Sequence, residues 1–92
     1  MAIRTDAISA KDWEILRRSL GLSLLQIEIV RRLFRGRSHR EIAREMAIRP
    51  RTVRTQMDRL YREFGVSNRA QLVLHVLAAL RESWEEGESL SV

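Results

Sequence analysis

The chain has 92 residues, 45% of them hydrophobic and 32% charged, with a formal net charge of +5, a composition of one small globular domain that excludes collagen-like and disordered classes. It has no cysteine, which excludes a disulfide framework, a thiolate nucleophile and a thiolate zinc site. The opening residues, MAIRTDAISAK, lack the apolar stretch of a secretory signal. The longest apolar run is broken by His75, short of the ~20 residues that span a bilayer, so a soluble intracellular protein is expected. A domain of this size has little room for a large pocket and gains stability from a partner chain.

In chain order, residues 1–8 are expected to be loose. Ser9 with Asp12 can cap a first helix over about residues 10–19, with Trp13, Leu16 and Leu20 along one side and Gly21 at its end. Ser23 with Gln26 has capping-box spacing, in which hydroxyl and amide each satisfy an orphan N–H. It predicts a helix over about 24–34, stopped at Gly36. Ser38 with Glu41 repeats that signature before a short helix over about 39–46 carrying Ile42, Ala43 and Met46. Pro50 suits a first helical position, where its missing N–H would have no partner anyway, and begins a helix over about 50–64 closed by Gly65. Only about three residues join these two amphipathic helices, which makes them cross steeply, as in a helix-turn-helix. Ser67 is the expected cap of a last helix from about 68 to at least 81, with residues 87–92 loose again. No strand-like alternation or internal repeat appears.

The helix from Pro50 has two unlike sides. At roughly 100° per residue, Val53, Met57, Leu60 and Phe64 share one face, while Arg51, Arg54, Thr55, Asp58 and Arg62 share the other. Charge is concentrated in the same region. Residues 31–69 hold twelve arginines against Glu41, Glu45, Asp58 and Glu63, residues 1–30 are balanced, and residues 82–92 carry four glutamates. A polyanion would dock on the middle helices; the alternative is a solvated arginine-rich surface.

Leu22-Ser23, Gly36, SHREIA at Ser38–Ala43, RTVRT at Arg51–Thr55 and LYREFGVSNR at Leu60–Arg69 together resemble the LuxR-type, or GerE-like, helix-turn-helix domain of bacterial transcription regulators. The resemblance runs from Leu22 to about Leu80. It implies an all-α fold, a four-helix domain at 22–81; the residues outside it read as an amino-terminal extension at 1–21 with one extra helix and an acidic tail at 82–92. It also implies double-stranded DNA as partner, the helix at 50–64 in the major groove, and dimerisation, commonly through the fourth family helix. Four positions depart from the family pattern. Gln26 stands for a usual glutamate, Ala47 for a frequent glycine in the turn, Arg49 for a frequent Ser or Thr cap, and Asp58 for a polar or basic residue.

Arg54 matches a frequent base-contacting position, and its forked guanidinium can donate two bonds to guanine. Thr55 can offer its methyl to thymine, and Asp58 can accept from cytosine N4. Asp58 is equally placed as an intrahelical partner of Arg54 or Arg62. Arg37, Ser38 and His39 begin a helix, where free N–H groups favour phosphate, and Arg51, Thr52, Arg59, Asn68 and Arg69 are further phosphate candidates. Such contacts fix position and affinity rather than sequence preference. Arg31, Arg32 and Arg35 lie on another face and are expected to be solvated.

On the last helix Leu72, Val76 and Ala79 form one apolar stripe and Val73, Leu77, Leu80 and Trp84 a second, spaced like the seam of paired helices. The second stripe is expected to join two chains; the alternative is that the first helix, with Trp13 and Leu16, covers it. His39 and His75 stand far apart, with no paired acidic motif at ligand spacing, so no metal, cofactor or enzyme activity is expected. The expectation is therefore a small dimeric, sequence-specific DNA-binding regulator, cytoplasmic and nucleoid-associated, with no receiver or sensor domain and hence controlled by abundance, oligomerisation or a partner regulator or polymerase. Two rivals stay open: a sigma-factor-like promoter reader, and a helical adaptor or anti-activator that pairs with a related regulator.

Overall fold

A computed structural model describes residues 8–90, which form five helices: α1 (Ala10–Leu20), α2 (Leu24–Phe34), α3 (His39–Met46), α4 (Pro50–Phe64) and α5 (Arg69–Leu90). Residues 1–7 and 91–92, expected to be loose, lie outside the described residues. Two expectations about the ends are corrected: Ile8 is 7% exposed and belongs to the core, and residues 87–90 continue α5. Among the described residues there is no strand, and no helix is long and apolar enough to cross a membrane.

Local chemistry sets most of the helix ends. Ser9 with Asp12, Ser23 with Gln26 and Ser38 with Glu41 each form a complete capping box. The carboxyl ends repeat one motif, in which an N–H reaches back five residues: Leu22 to Arg17, Arg37 to Arg32, Ile48 to Ala43 and Val66 to Tyr61. Each such reversal needs a residue with positive φ. Gly21, Gly36 and Gly65 supply three of them, and Ala47, at φ 55°, is the fourth. The cap of α5 falls one residue later than expected: Asn68 Oδ1, not Ser67, accepts from the Gln71 N–H at 2.9 Å, while the Ser67 N–H donates to Gln71 Oε1.

The helices close a circuit around one core, α1 against α2, α2 against α3, α3 against α4, α4 against α5, and α5 back against α1. Leu16, Ile29, Leu33, Phe34, Ile42, Met57, Leu60, Leu72 and Val76 are fully buried within it, each stabilising the fold by about 1.5–3 kcal/mol through removal of apolar surface from water. Trp13 of α1 meets Phe34 edge-on at 5.2 Å between centroids, and the Arg31 guanidinium stands 5.8 Å from the Trp13 ring.

This arrangement corrects the expected seam between chains. Val73 is 3% and Leu80 2% exposed within the single chain, and Leu77 is half-buried against the same core. Only Trp84 stays open, at 45%, and its indole N–H donates to Asp12 Oδ1 at 3.2 Å, fastening α5 to the start of α1. The alternative weighed from sequence, cover by the first helix, is what the chain adopts: α1 and α5 each bring an apolar stripe that the other buries. The expectation that Arg31 and Arg32 are solvated is corrected too, because Arg31 bonds Glu28, and Arg32 bonds both Glu28 and Glu45. Arg35 is exposed, as expected.

Candidate nucleic-acid interface

The candidate surface is built from α3, the turn Ala47–Arg49 and α4. Val53, Met57 and Leu60 anchor α4 in the core, and the 3.6-residue period then turns Arg51, Arg54, Thr55, Asp58, Arg59 and Arg62 out to solvent. Between the starts of α3 and α4 lies an open groove of about 330 Å³, lined by His39, Arg40, Pro50, Arg51 and Arg54. Thr52 is half-buried beside it. Gln56, also half-buried, accepts a hydrogen bond from the Gln26 amide at 3.2 Å. Gln26 therefore both caps α2 and ties it to the middle of α4.

Arg40, Arg44, Arg49, Arg51, Arg54, Arg59 and Arg62 are exposed, and among the described residues they form no ion pair. Asp58 likewise pairs with neither Arg54 nor Arg62, so the intrahelical partnership that its spacing allows is not made. Arg40, Arg44 and Arg49 escaped the sequence reading. The first two flank the buried pair Ile42 and Ala43 one helical turn apart, a spacing that places them outward; Arg49 was read as a missing cap rather than as a cation.

Several expected phosphate contacts are already engaged. Arg69 is the clearest correction: its Nη2 donates to the backbone oxygens of Leu33 at 3.1 Å and Arg37 at 2.6 Å. Its fork is turned into the fold, adding a donor to the Leu33 carbonyl at the end of α2 and to the Arg37 carbonyl just beyond it. Arg37 donates to Glu45 Oε2 at 2.8 Å. Ser38 spends its N–H and hydroxyl oxygen on the Glu41 capping box, and Asn68 spends its carbonyl on the cap of α5.

The electrostatics follow from this packing. Burial holds the His39 imidazole below its ordinary range, and the positive charges of Arg69 and Arg54 push it further down against the opposing effect of Asp58. At neutral pH His39 therefore lines the groove as an uncharged ring with one donor and one acceptor. Glu41 is held below the usual carboxylate range, first by the Ser38 N–H, so α3 begins with an ionised carboxylate of its own. Burial raises the Tyr61 phenol, against the opposing charge of Arg69 and with Asp58 adding to the rise. Among the described residues no three acidic, histidine or cysteine side chains lie together as a metal site would require.

Two of the three residues joining α3 to α4 break the local rules kept elsewhere. Ala47 holds a left-handed conformation that costs a residue with a Cβ roughly 1–2 kcal/mol. Arg49, the residue before α4, offers its helix no side-chain cap. Departures from local preference concentrate at functional positions.

Two short helices joined by such a turn, the second carrying unpaired arginines on its outer face, define a helix-turn-helix module. The chain belongs to the luxR family of bacterial regulatory proteins, whose family model matches residues 20–76, and so to a class of helix-turn-helix transcription regulators that bind DNA. Among curated proteins it is similar to a probable HTH-type transcriptional regulator, GfsR, of Streptomyces halstedii, at 44% identity over 59 residues, 64% of this chain and 24% of that protein. It is also similar to the probable transcriptional regulatory protein NarL of Mycobacterium tuberculosis, at 39% identity over 56 residues, 61% of this chain and 26% of that protein. The chain thus spans about a quarter of the length of these relatives. No solved structure gives a significant match. The family match leaves α1, apart from its last residue, and the later part of α5 uncovered.

Proposed function

We propose that this chain binds duplex DNA sequence-specifically as a dimeric transcription regulator, with α4 entering the major groove. The observation that carries the reading is the unpaired arginine surface of α3 and α4. Seven guanidinium groups stand exposed with no counter-ion among the described residues, an arrangement that attracts phosphate. Arg54 and Thr55 face outward from the first turns of α4 and read base edges, while Asp58, unpaired on the same face, accepts from cytosine or repels a neighbouring phosphate. Arg51, Arg59 and Arg40 take phosphates on either side, and His39 contributes a neutral donor.

The dimer contact moves to another face of α5. There Leu74 is 63% exposed, with exposed Ala70 and Ala78 one turn on either side. A two-fold contact at Leu74 places two copies of α4 on one side of a pseudo-palindromic site.

Titrating a labelled duplex selected from a random pool, at several salt concentrations, tests the reading. Affinity is expected to fall with a log–log slope near −0.9 per phosphate neutralised. Absence of duplex binding at low salt, together with a stable complex with another regulator, would establish the adaptor rival instead. Leu74→Glu is expected to sediment as a folded monomer, and an unchanged dimer would overturn the choice of face.

A further inference from the structure

We propose that Arg69 is a positioning residue for DNA binding: from the start of α5 it holds the segment that launches α3, acting through backbone carbonyls and not through phosphate. The inference rests on the DNA-binding reading above. The two oxygens that Arg69 Nη2 holds belong to Leu33 and Arg37, 36 and 32 residues earlier in the chain. They bracket the short passage that ends α2 and delivers Ser38, the cap of α3. A guanidinium at the end of α2 supplies a donor to a terminal carbonyl and offsets the negative end of the helix dipole.

A second fastening lies on the same passage. Arg37 donates to Glu45 on α3, and Glu45 also receives Arg32 of α2. The start of α3 is held by Arg69 and its later part by Glu45, so α3 has little freedom to slide over α2. What α3 carries depends on that restraint: His39 and Arg40 form one wall of the groove whose other wall is Pro50, Arg51 and Arg54. His39 senses the charges of both Arg69 and Arg54, which places the clamp beside the reading surface although its donor nitrogen is committed to the fold. A contact surface left about 1 Å too loose loses affinity while every contacting residue remains present.

The full chain and a labelled duplex selected against the wild type from a random pool provide the test. Arg69→Ala, kept below its melting transition and verified as helical by circular dichroism, is expected to bind about tenfold more weakly at every salt concentration. The slope of log affinity against log salt stays that of the wild type, because no phosphate contact has been removed. Arg69→Lys, which keeps a cationic donor at the position, is expected to recover most of the affinity. A slope shallower by about 0.9 would make Arg69 a phosphate contact and overturn the proposal. Wild-type affinity in a folded Arg69→Ala would reduce the residue to a stabiliser, and would overturn it as well. If Arg69→Ala does not fold, Arg69→Gln is read by the same slope, unchanged in support and shallower against. Failure of the wild type itself to bind any selected duplex removes the DNA-binding reading first, and the clamp's role with it.

Discussion

Two regions of this protein are rich in arginine, and they use it in opposite ways. In α1 and α2, Arg17 and Arg18 bond Glu14, and Arg31 and Arg32 bond Glu28. In α3 and α4, Arg40, Arg44, Arg51, Arg54, Arg59 and Arg62 form no ion pair among the described residues, although Asp58 and Glu63 stand one helical turn from several of them. Residue order accounts for part of the difference. Glutamate precedes arginine in α1 and α2, the order favoured in a helix, whereas Arg54 precedes Asp58 and Arg59 precedes Glu63; Asp58 and Arg62 have the favoured order and still do not pair. Order is a bias and not a rule, since Arg81 and Glu85 pair in the weaker order at 3.0 Å on α5. The lesson is that counting arginines does not distinguish cations spent on the fold from cations available to a partner.

The contrast can be broken most forcibly on the α1 side. Leu16 is fully buried where α1 meets the core, so Leu16→Ala is expected to cost about 2–5 kcal/mol in urea unfolding. A loss below about 1 kcal/mol would mean that α1 is an appendage and that the interface of α1 with α5 stabilises little. Next in size is the effect on recognition. Arg54→Ala is expected to lose about 1–3 kcal/mol of discrimination at one base pair in competition binding, while Arg32→Ala, which breaks only internal pairs, leaves base preference unchanged. Equal effects from the two would erase the difference between arginines spent on the fold and arginines available to a partner.

A smaller effect is expected in the turn. Ala47→Gly removes the left-handed strain at an exposed position and should raise stability by about 1 kcal/mol in thermal unfolding. The smallest concerns the paired arginines themselves. Hydrogen bonds from Arg17 and then Arg18 hold Glu14 well below its ordinary value of 4.5, at about 2. A carboxylate whose folded pKa is depressed contributes stability that is present above pH 4.5 and lost as the pH falls toward 2. Thermal unfolding followed from neutral to acid pH should therefore show wild type and Glu14→Gln converging as pH drops through that window. Curves that stay parallel would show that this exposed pair contributes nothing measurable.

Much of the fold was legible locally because helix ends are decided by a few adjacent residues. Ser9, Ser23 and Ser38 announce starts through acceptors aimed at orphan N–H groups, and Gly21, Gly36 and Gly65 announce ends through positive φ. The buried and exposed sides of α4 follow from its period, so Arg51, Arg54 and Arg62 are placed outward by sequence alone. Arg37 and Arg69 were misplaced because their partners, Glu45 and the carbonyls of Leu33 and Arg37, lie outside any one helical turn of them. Nothing in local spacing marks a guanidinium that will cap a helix three dozen residues earlier.

By itself, then, the sequence determined five amphipathic segments, the ends of the first four, the short turn at Ala47–Arg49 and the family to which 20–76 belongs. Each of these is written in neighbours within a few positions. Only the tertiary structure decided which of two apolar stripes on α5 would meet α1 and which arginines would be consumed in holding helices together. An apolar face states that it must be covered, not by what, because the hydrophobic effect has no direction. Ion pairs between helices exist only once packing has brought their members within reach. The seam at Val73 and Leu80 became interior for the first reason, and Arg69 became a clamp for the second.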